Sequence, residues 1–435
     1  MSDHTLSTVH GAAASGEPPM SIQARMDEVF SPSSPLTRRD LFTGRHAQVQ
    51  DLLQTVLQRG QHAVVCGERG VGKTSLVTML AEFAQGPLIL VRVAGDPGDT
   101  FTSLWRKAAR GFRFSQHKST TGFVAGAEIS PFTGESLLPP PSASDADDLS
   151  PSHVVELLRQ FAMQDQVVVV FDEFDRVADE RARMQFSDTI KALSDAALPV
   201  TLVIVGVGED ASALVHAHPS IERALIGIHL PRMSESELIE ASTRMLGATG
   251  LTADDSVVER MATLSQGLPH VIHQLGLGAA RAAVAQGGTH LTLDHLDEAV
   301  GVALRRSTEG VREAYEQAIV RARRGIFPEI LLACALTPRD ERGRFCVDDV
   351  KTTLESIVGR EVRGLTNQVS ALTEAGRGFV LSKSGAGREA RFRFNNPTLQ
   401  PYILMRGLEQ GWATRETPNW LASGEDAADE QDRAA

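Results

Sequence analysis

The stretch Gly67-Glu68-Arg69-Gly70-Val71-Gly72-Lys73-Thr74-Ser75 constrains this chain more than any other. It follows a short apolar run of strand type, His62-Ala63-Val64-Val65-Cys66, and leads into Leu76-Val77-Thr78-Met79-Leu80, which carries a helical apolar face. That is G-x-x-x-x-G-K-[ST] in the strand–loop–helix context it requires. The glycines let backbone N–H groups wrap phosphates, and the helix N-terminus adds the positive end of its dipole. Lys73 has the reach for β- and γ-phosphates, and the Thr74 hydroxyl is placed to ligate Mg²⁺. Phosphate binding therefore involves the whole run from Gly67 through Glu68, Arg69, Gly70, Val71 and Gly72 to Ser75.

A second signal lies about a hundred residues on. Val167-Val168-Val169-Val170-Phe171 is continuously apolar, as a parallel sheet covered on both faces demands. It ends in Asp172-Glu173-Phe174-Asp175-Arg176. In a nucleotide site the first carboxylate, Asp172, holds Mg²⁺ through water, and the adjacent Glu173 can polarise the attacking water. Acidic residues often cap strands; the phosphate loop is what gives this pair its meaning. ATP and Mg²⁺ are the expected ligands, and hydrolysis to ADP and phosphate the expected reaction.

A length of 435 residues exceeds one compact core, so two or three domains are expected. The formal charge of −12 argues against a surface coated with nucleic acid but leaves room for a local basic patch. The cysteines Cys66, Cys334 and Cys346 are too few and too scattered for a disulfide framework or a structural zinc site. No apolar run reaches the length of a membrane span, and the first residues lack the basic start and apolar core of a signal peptide. The expectation is a cytoplasmic protein with no membrane partner.

Along the chain, Ser, Ala, Gly and Pro dominate residues 1–30, which read as a disordered arm. A core follows over 31–233, with a helix whose apolar face includes Val49, Leu52, Leu53 and Val56, helices at Thr102–Phe112 and Pro151–Phe161, and further strands at Pro87–Val93, Thr201–Gly208 and Arg223–Leu230. Residues 115–150 carry little pattern and form either a flexible insertion or a partner-binding loop. Strands alternating with helices give a three-layer α/β unit, an αβα sandwich with its site at the carboxyl ends of the strands. Residues 234–308 read as a helical module, in which Pro269 opens a helix well because its missing N–H would be orphaned there anyway. Over 309–412 come helices at 311–321, 328–336, 347–357 and 362–375, then strand-like pieces at 379–381 and 391–394. Three helices plus a hairpin is a winged-helix order. Arg360, Arg363, Lys383, Arg388, Arg391 and Arg393 could meet DNA phosphates, although acidic neighbours are interspersed, and protein docking or autoinhibition suits such a module equally. Residues 413–435 form an acidic, disordered tail.

Phosphate loop, acidic pair, helical module and terminal winged helix, in this order, resemble the AAA+ ATPases of the origin-recognition type and the related STAND-like bacterial ATPases, over roughly residues 36–407. The resemblance implies a P-loop NTPase core with sheet order 5-1-4-3-2, an α-helical lid, and nucleotide between them. It places Gly44-Arg45 near the adenine and makes Arg223 an arginine finger offered to a neighbouring subunit; a plain helix start and a surface arginine are the alternatives. Two departures stand out. Gly206 replaces the Asn, Ser or Thr that orients the attacking water in this class, which points to slow hydrolysis. Gly267-Leu268-Pro269-His270 replaces the lid arginine of origin-type proteins and looks like the STAND variant; His270 either touches phosphate or simply packs.

Three functions fit these residues. The first is an ATP-driven switch that assembles with copies of itself or with a separate effector. The second is an ATP-dependent loader or regulator on duplex DNA. The third is a scaffold holding ATP as a structural ligand, with phage defence as one setting in which similar ATPases act.

Overall fold

The alternation of inward residues along the strands decides how the layers stack. In β1 (His62–Gly67), Ala63 and Val65 pack with one buried cluster while Val64 and Cys66 pack with the other. Val168 and Val170 against Val167, Val169 and Phe171 repeat the pattern in the next central strand. Side chains on successive strand residues point to opposite faces, so a sheet buried on both sides needs helices on both sides.

The computed structural model describes residues 21–84, 86, 88–115, 148–162, 165–208, 214, 221–319, 326–340 and 342–410. After α1 (Ile22–Val29) and α2 (His46–Leu57), the core runs β1, α3 (Lys73–Phe83), β2 (Leu88–Ala94), α4 (Phe101–Ser115), α5 (Pro151–Phe161), β3 (Gln166–Asp172), α6 (Glu180–Asp195), β4 (Val200–Val207) and β5 (Leu225–His229). The sheet is parallel with order β2-β3-β4-β1-β5, which is 5-1-4-3-2 read from the other edge. It is the P-loop NTPase arrangement. One face packs on α2 and α3 through Val49, Leu52, Val56, Leu76 and Leu80. The other packs on α4, α5 and α6, where Trp105, Phe101, Phe171 and Phe186 meet edge to face or stacked.

The helical module is α7 (Glu235–Thr249), β6 (Thr252–Ala253), α8 (Asp255–Ser265), α9 (Pro269–Ala285), β7 (His290–Leu291) and α10 (Leu293–Arg306), its four helices lying where the periodicity puts them. A Ser234/Glu237 capping box opens α7, each side chain satisfying a backbone donor of the other. The C-terminal module comprises α11 (Glu309–Ile319), α12 (Phe327–Leu336), α13 (Val347–Val358), α14 (Leu365–Ala371), the antiparallel β8 (Leu381–Ser384) and β9 (Arg391–Phe394), and α15 (Leu399–Glu409). Phe345 bridges to Phe392 beside the hairpin.

Three expectations need correction. Residues 21–30 are folded: Ser21 caps α1, and Met26, Val29 and Phe30 are buried against α7 and α9. Their short stripe finds a groove at Gly276, where a Cβ would lie 2.6 Å from the Phe30 ring. The helix expected from 362 starts at Leu365, because Gly364 adopts φ +74° and ends the extended approach. The first hairpin strand begins at Leu381 rather than 379, because Phe379 kinks the chain at φ +49°. The buried α15 has no counterpart in the sequence reading. Residues 1–20, 116–147 and 411–435, which hold most of the expected arm, insertion and tail, lie outside the described residues. Among the described residues no helix is long and apolar enough to cross a membrane.

Candidate functional site

β1 delivers the chain into the phosphate loop at Gly67, and the loop closes where Gly72 caps α3. Gly70 and Gly72 have φ of +89° and +99°, a region only glycine enters without strain. Lys73 Nζ donates to the carbonyls of Gly67 (3.0 Å) and Glu68 (2.7 Å). Burial pushes the Lys73 pKa down, and the charges of Asp175 and Asp172 oppose that. β3 ends beside this loop, so Thr74 Oγ1 donates to Asp172 Oδ2 at 2.9 Å, joining residues 98 positions apart. The other Asp172 oxygen accepts the Glu173 N–H at 2.9 Å. Two hard oxygen donors thus face one point, a set that fits Mg²⁺.

The remaining carboxylates are held differently. Glu173 sits at φ +52° and turns its carboxylate to Arg176, 2.6 Å away, on the half-exposed rim. Asp175 turns inward, its Oδ1 accepting the Val207 N–H at 2.8 Å.

A cavity of about 830 Å³ lies between core and lid, a size that suits a nucleotide. Arg69, Gly70, Val71, Gly72, Lys73, Thr74, Ser75, Asp172 and Glu173 line its phosphate end, and Pro269 and His270 line the lid side. A Cβ on Gly70 would lie 3.0 Å from the His270 ring, and one on Gly72 would lie 3.9 Å from Pro269. The His270 ring is buried beside the Gly70 backbone, and burial pushes its pKa down against the opposing effect of that backbone contact. At the far end, residues 31–36 cross from lid to core: Ser31 N–H donates to His273 Nδ1 (3.1 Å) and Leu36 N–H to Ser75 Oγ (3.2 Å).

Arg45 lines the cavity too, but its guanidinium donates to the Val71 carbonyl (3.3 Å), and burial pushes it down to about 10. Gly44 is not a lining residue; it lets the Glu237 carboxylate of the lid approach, where any Cβ would overlap it. The pair thus ties lid to phosphate loop. Glu68 also leaves the cavity. Its carboxylate meets Arg232 Nε at 2.7 Å, Arg232 donates to the Gln266 carbonyl (2.9 Å), and Arg339 of the C-terminal module donates to the Gln266 side chain. Arg232, Gln266 and Arg339 escaped the sequence reading, since nothing in their spacing points at the site; Asp175 stood in view beside the acidic pair but without a role.

Arg223 stands away from this cluster. It is exposed before β5, whose first residue pairs with His62 while the phosphate loop follows the other end of β1. Five parallel residue pairs separate the two ends, on the order of 15 Å. Among the nucleic-acid candidates, Arg360, Arg363, Lys383 and Arg391 are exposed. Arg363 meets Glu361 (3.6 Å), and Lys383 lies over the Phe392 ring. Arg393 shares a strand face with Arg391, but its Cδ approaches Gly343 at the junction with Glu68. The Arg388 side chain lies outside the described residues.

Solved structures with this chain arrangement include a Walker-type ATPase of Pyrococcus abyssi, at 14% identity and TM-score 0.51, covering 86% of this chain and 99% of that one. The ORC2 protein of Aeropyrum pernix (14%, TM-score 0.47, 88% and 98%) and Cdc6p from Pyrobaculum aerophilum (16%, TM-score 0.44, 89% and 99%) are also similar. No curated protein matches the chain. The family described as Novel STAND NTPase 1 matches residues 36–373, which takes in the phosphate loop, the acidic pair, the lid and most of the C-terminal module. The chain belongs to that family of STAND NTPases, built on a P-loop NTPase fold.

Proposed function

We propose that the protein is an ATP-dependent switch that hydrolyses ATP slowly and couples its nucleotide state to the seating of the C-terminal module and to assembly with further copies or an effector. The observation that carries this reading is the double attachment of the phosphate loop. Its glycines touch the lid through Pro269 and His270, and its Glu68 reaches the C-terminal module through Arg232 and Gln266. A phosphate arriving in the loop competes for Lys73, which now holds the Glu68 carbonyl. Loop, lid and C-terminal module therefore share one contact chain.

Thr74 and Asp172 would hold Mg²⁺, which takes few protein ligands and fills its shell with phosphate oxygens and water. When bound, the cation would neutralise developing charge on the β- and γ-oxygens. Lys73 would supply a fixed positive charge to the same oxygens, and closure of the lid over Gly70 and Gly72 would exclude water other than the attacking one. Glu173 would reach that water after parting from Arg176.

Turnover and particle mass with ATP, with ADP and for Glu173→Gln test this. The expected result is slow turnover in the native protein, none in Glu173→Gln, and a mass or shape that changes with ATP. Turnover equal in both proteins, or scattering indifferent to nucleotide, overturns it. Exposed Lys383 and Arg391 support a second reading, duplex DNA on a winged hairpin; salt-dependent binding weakened by Arg391→Ala would support it, and flat binding curves would remove it.

A further inference from the structure

The end of β4 carries Gly206 where the resemblance to origin-recognition-type ATPases implies a polar side chain. The reason lies in what fills the space. A Cβ on Gly206 would stand 2.8 Å from Asp175 Oδ1, 3.1 Å from the Asp175 backbone nitrogen and 2.7 Å from Leu214 Cδ2. Any side chain at 206 would displace the Asp175 carboxylate. That carboxylate is fixed by the chain around it: Oδ1 accepts the Val207 N–H at 2.8 Å, and the Asp175 carbonyl accepts from Arg183, whose guanidinium also holds the Val177 carbonyl at 2.9 Å. Asp175 lines the same cavity as Lys73, Thr74, Asp172 and Gly206. Its charge acts on the Lys73 ammonium ahead of that of Asp172. Glu173, by contrast, is turned to Arg176 on the rim.

We propose that the Asp175 carboxylate orients the attacking water, from the 3-10 turn after β3, in place of a polar side chain at position 206. The proposal deepens the ATPase reading above and rests on it. An amide or hydroxyl at the strand end could donate directly to the γ-phosphate, whereas a carboxylate is repelled by it. Asp175 therefore acts only with a water between, accepting one of its hydrogens. The water oxygen forms the bond to the γ-phosphorus as the bond from that phosphorus to the β–γ bridging oxygen breaks. ADP leaves with that electron pair, and both hydrogens of the water leave on the released phosphate.

This arrangement separates turnover from binding. Asp175→Ala is expected to bind ATP as tightly as the native protein, or more tightly, while kcat falls about 100-fold. Where alanine unsettles the fold, Asp175→Ser retains a hydroxyl that can accept from Val207 N–H but is too short to reach the water, and the same split is expected. Asp175→Ala/Gly206→Ser, which vacates the space and restores a polar group from the strand, is expected to regain part of the turnover. Gly206→Ser alone, competing with Asp175, is expected to lose it. A kcat unchanged in Asp175→Ala, or a loss of ATP affinity equal to the loss of turnover, overturns the proposal and leaves the ATPase reading standing. A native protein that binds ATP through Lys73 without any turnover overturns both.

Discussion

His62 begins β1 with its Nδ1 accepting the Leu202 N–H at 2.9 Å, while its Nε2 is buried without a partner among the described residues. Burial pushes it down to about 4, and His273, accepting from Ser31 under the Phe30 ring, is also pushed down to about 4. In the unfolded chain both titrate near 6.5. Below that value the unfolded state gains protons that the folded state refuses until about pH 4. The stability contributed by the neutral rings is whole above pH 6.5 and is lost as pH falls toward 4, at up to about 1.4 kcal/mol per pH unit for each ring. Denaturant midpoints measured at pH 7.5 and pH 5 should show a clear fall; equal midpoints would contradict the burial of these rings. At this scale the sequence was informative where a residue type has one use, as with Lys73, Thr74 and Asp172. It was silent on the role of Asp175 and put Glu68 at the phosphates, although its carboxylate turns to Arg232, because a carboxylate's role depends on what it faces.

The elements followed their patterns where the apolar stripe was long. The lid helices, α5 and the five core strands all lie within a few residues of the expected places, since many buried positions vote together. α1 shows the opposite case. Its eight residues carry Ile22, Met26 and Val29, with Phe30 just beyond, too short a stripe to stand out from a Ser- and Gly-rich arm. Docking decides it. Phe30→Ala should free α1 from the Gly276 groove, because a Phe truncation forfeits about 3–5 kcal/mol when fully buried and that exceeds what an eight-residue helix holds by itself. Limited proteolysis should then cut within 21–36 while the core remains intact. Nucleotide release should quicken, since residues 31–36 wall the cavity. An unchanged cleavage pattern would show that α1 is held by other contacts.

Over the whole molecule, three modules meet at one carboxylate. Glu68 and Arg232 are 18% and 16% exposed, and Gly343 of the C-terminal module lies so close to Glu68 that any Cβ there would overlap it. Arg339 lies half-buried beside them, and burial together with the neighbouring Arg232 charge pushes it down to about 9. Removing one partner of a buried pair strands the other's charge, at a cost of about 3–5 kcal/mol when burial is complete. Glu68→Met should therefore destabilise the junction more than Glu68→Met/Arg232→Met, which removes both charges. Unfolding midpoints of the two variants measure this directly, and a single variant as stable as the native protein would deny the junction its role.

The amino-acid sequence by itself determined the phosphate loop, the acidic pair, the parallel core and the helical lid. Those features are local in pattern: a glycine spacing, a run of apolar residues, a helical period. Only the tertiary structure decided which groups converge on them. Asp175 fills the space left by Gly206, residues 31–36 cross the cavity, and Glu68 turns from the phosphates toward Arg232. Each depends on contacts between residues 31 to 242 positions apart, and no local period encodes a partner that far along the chain.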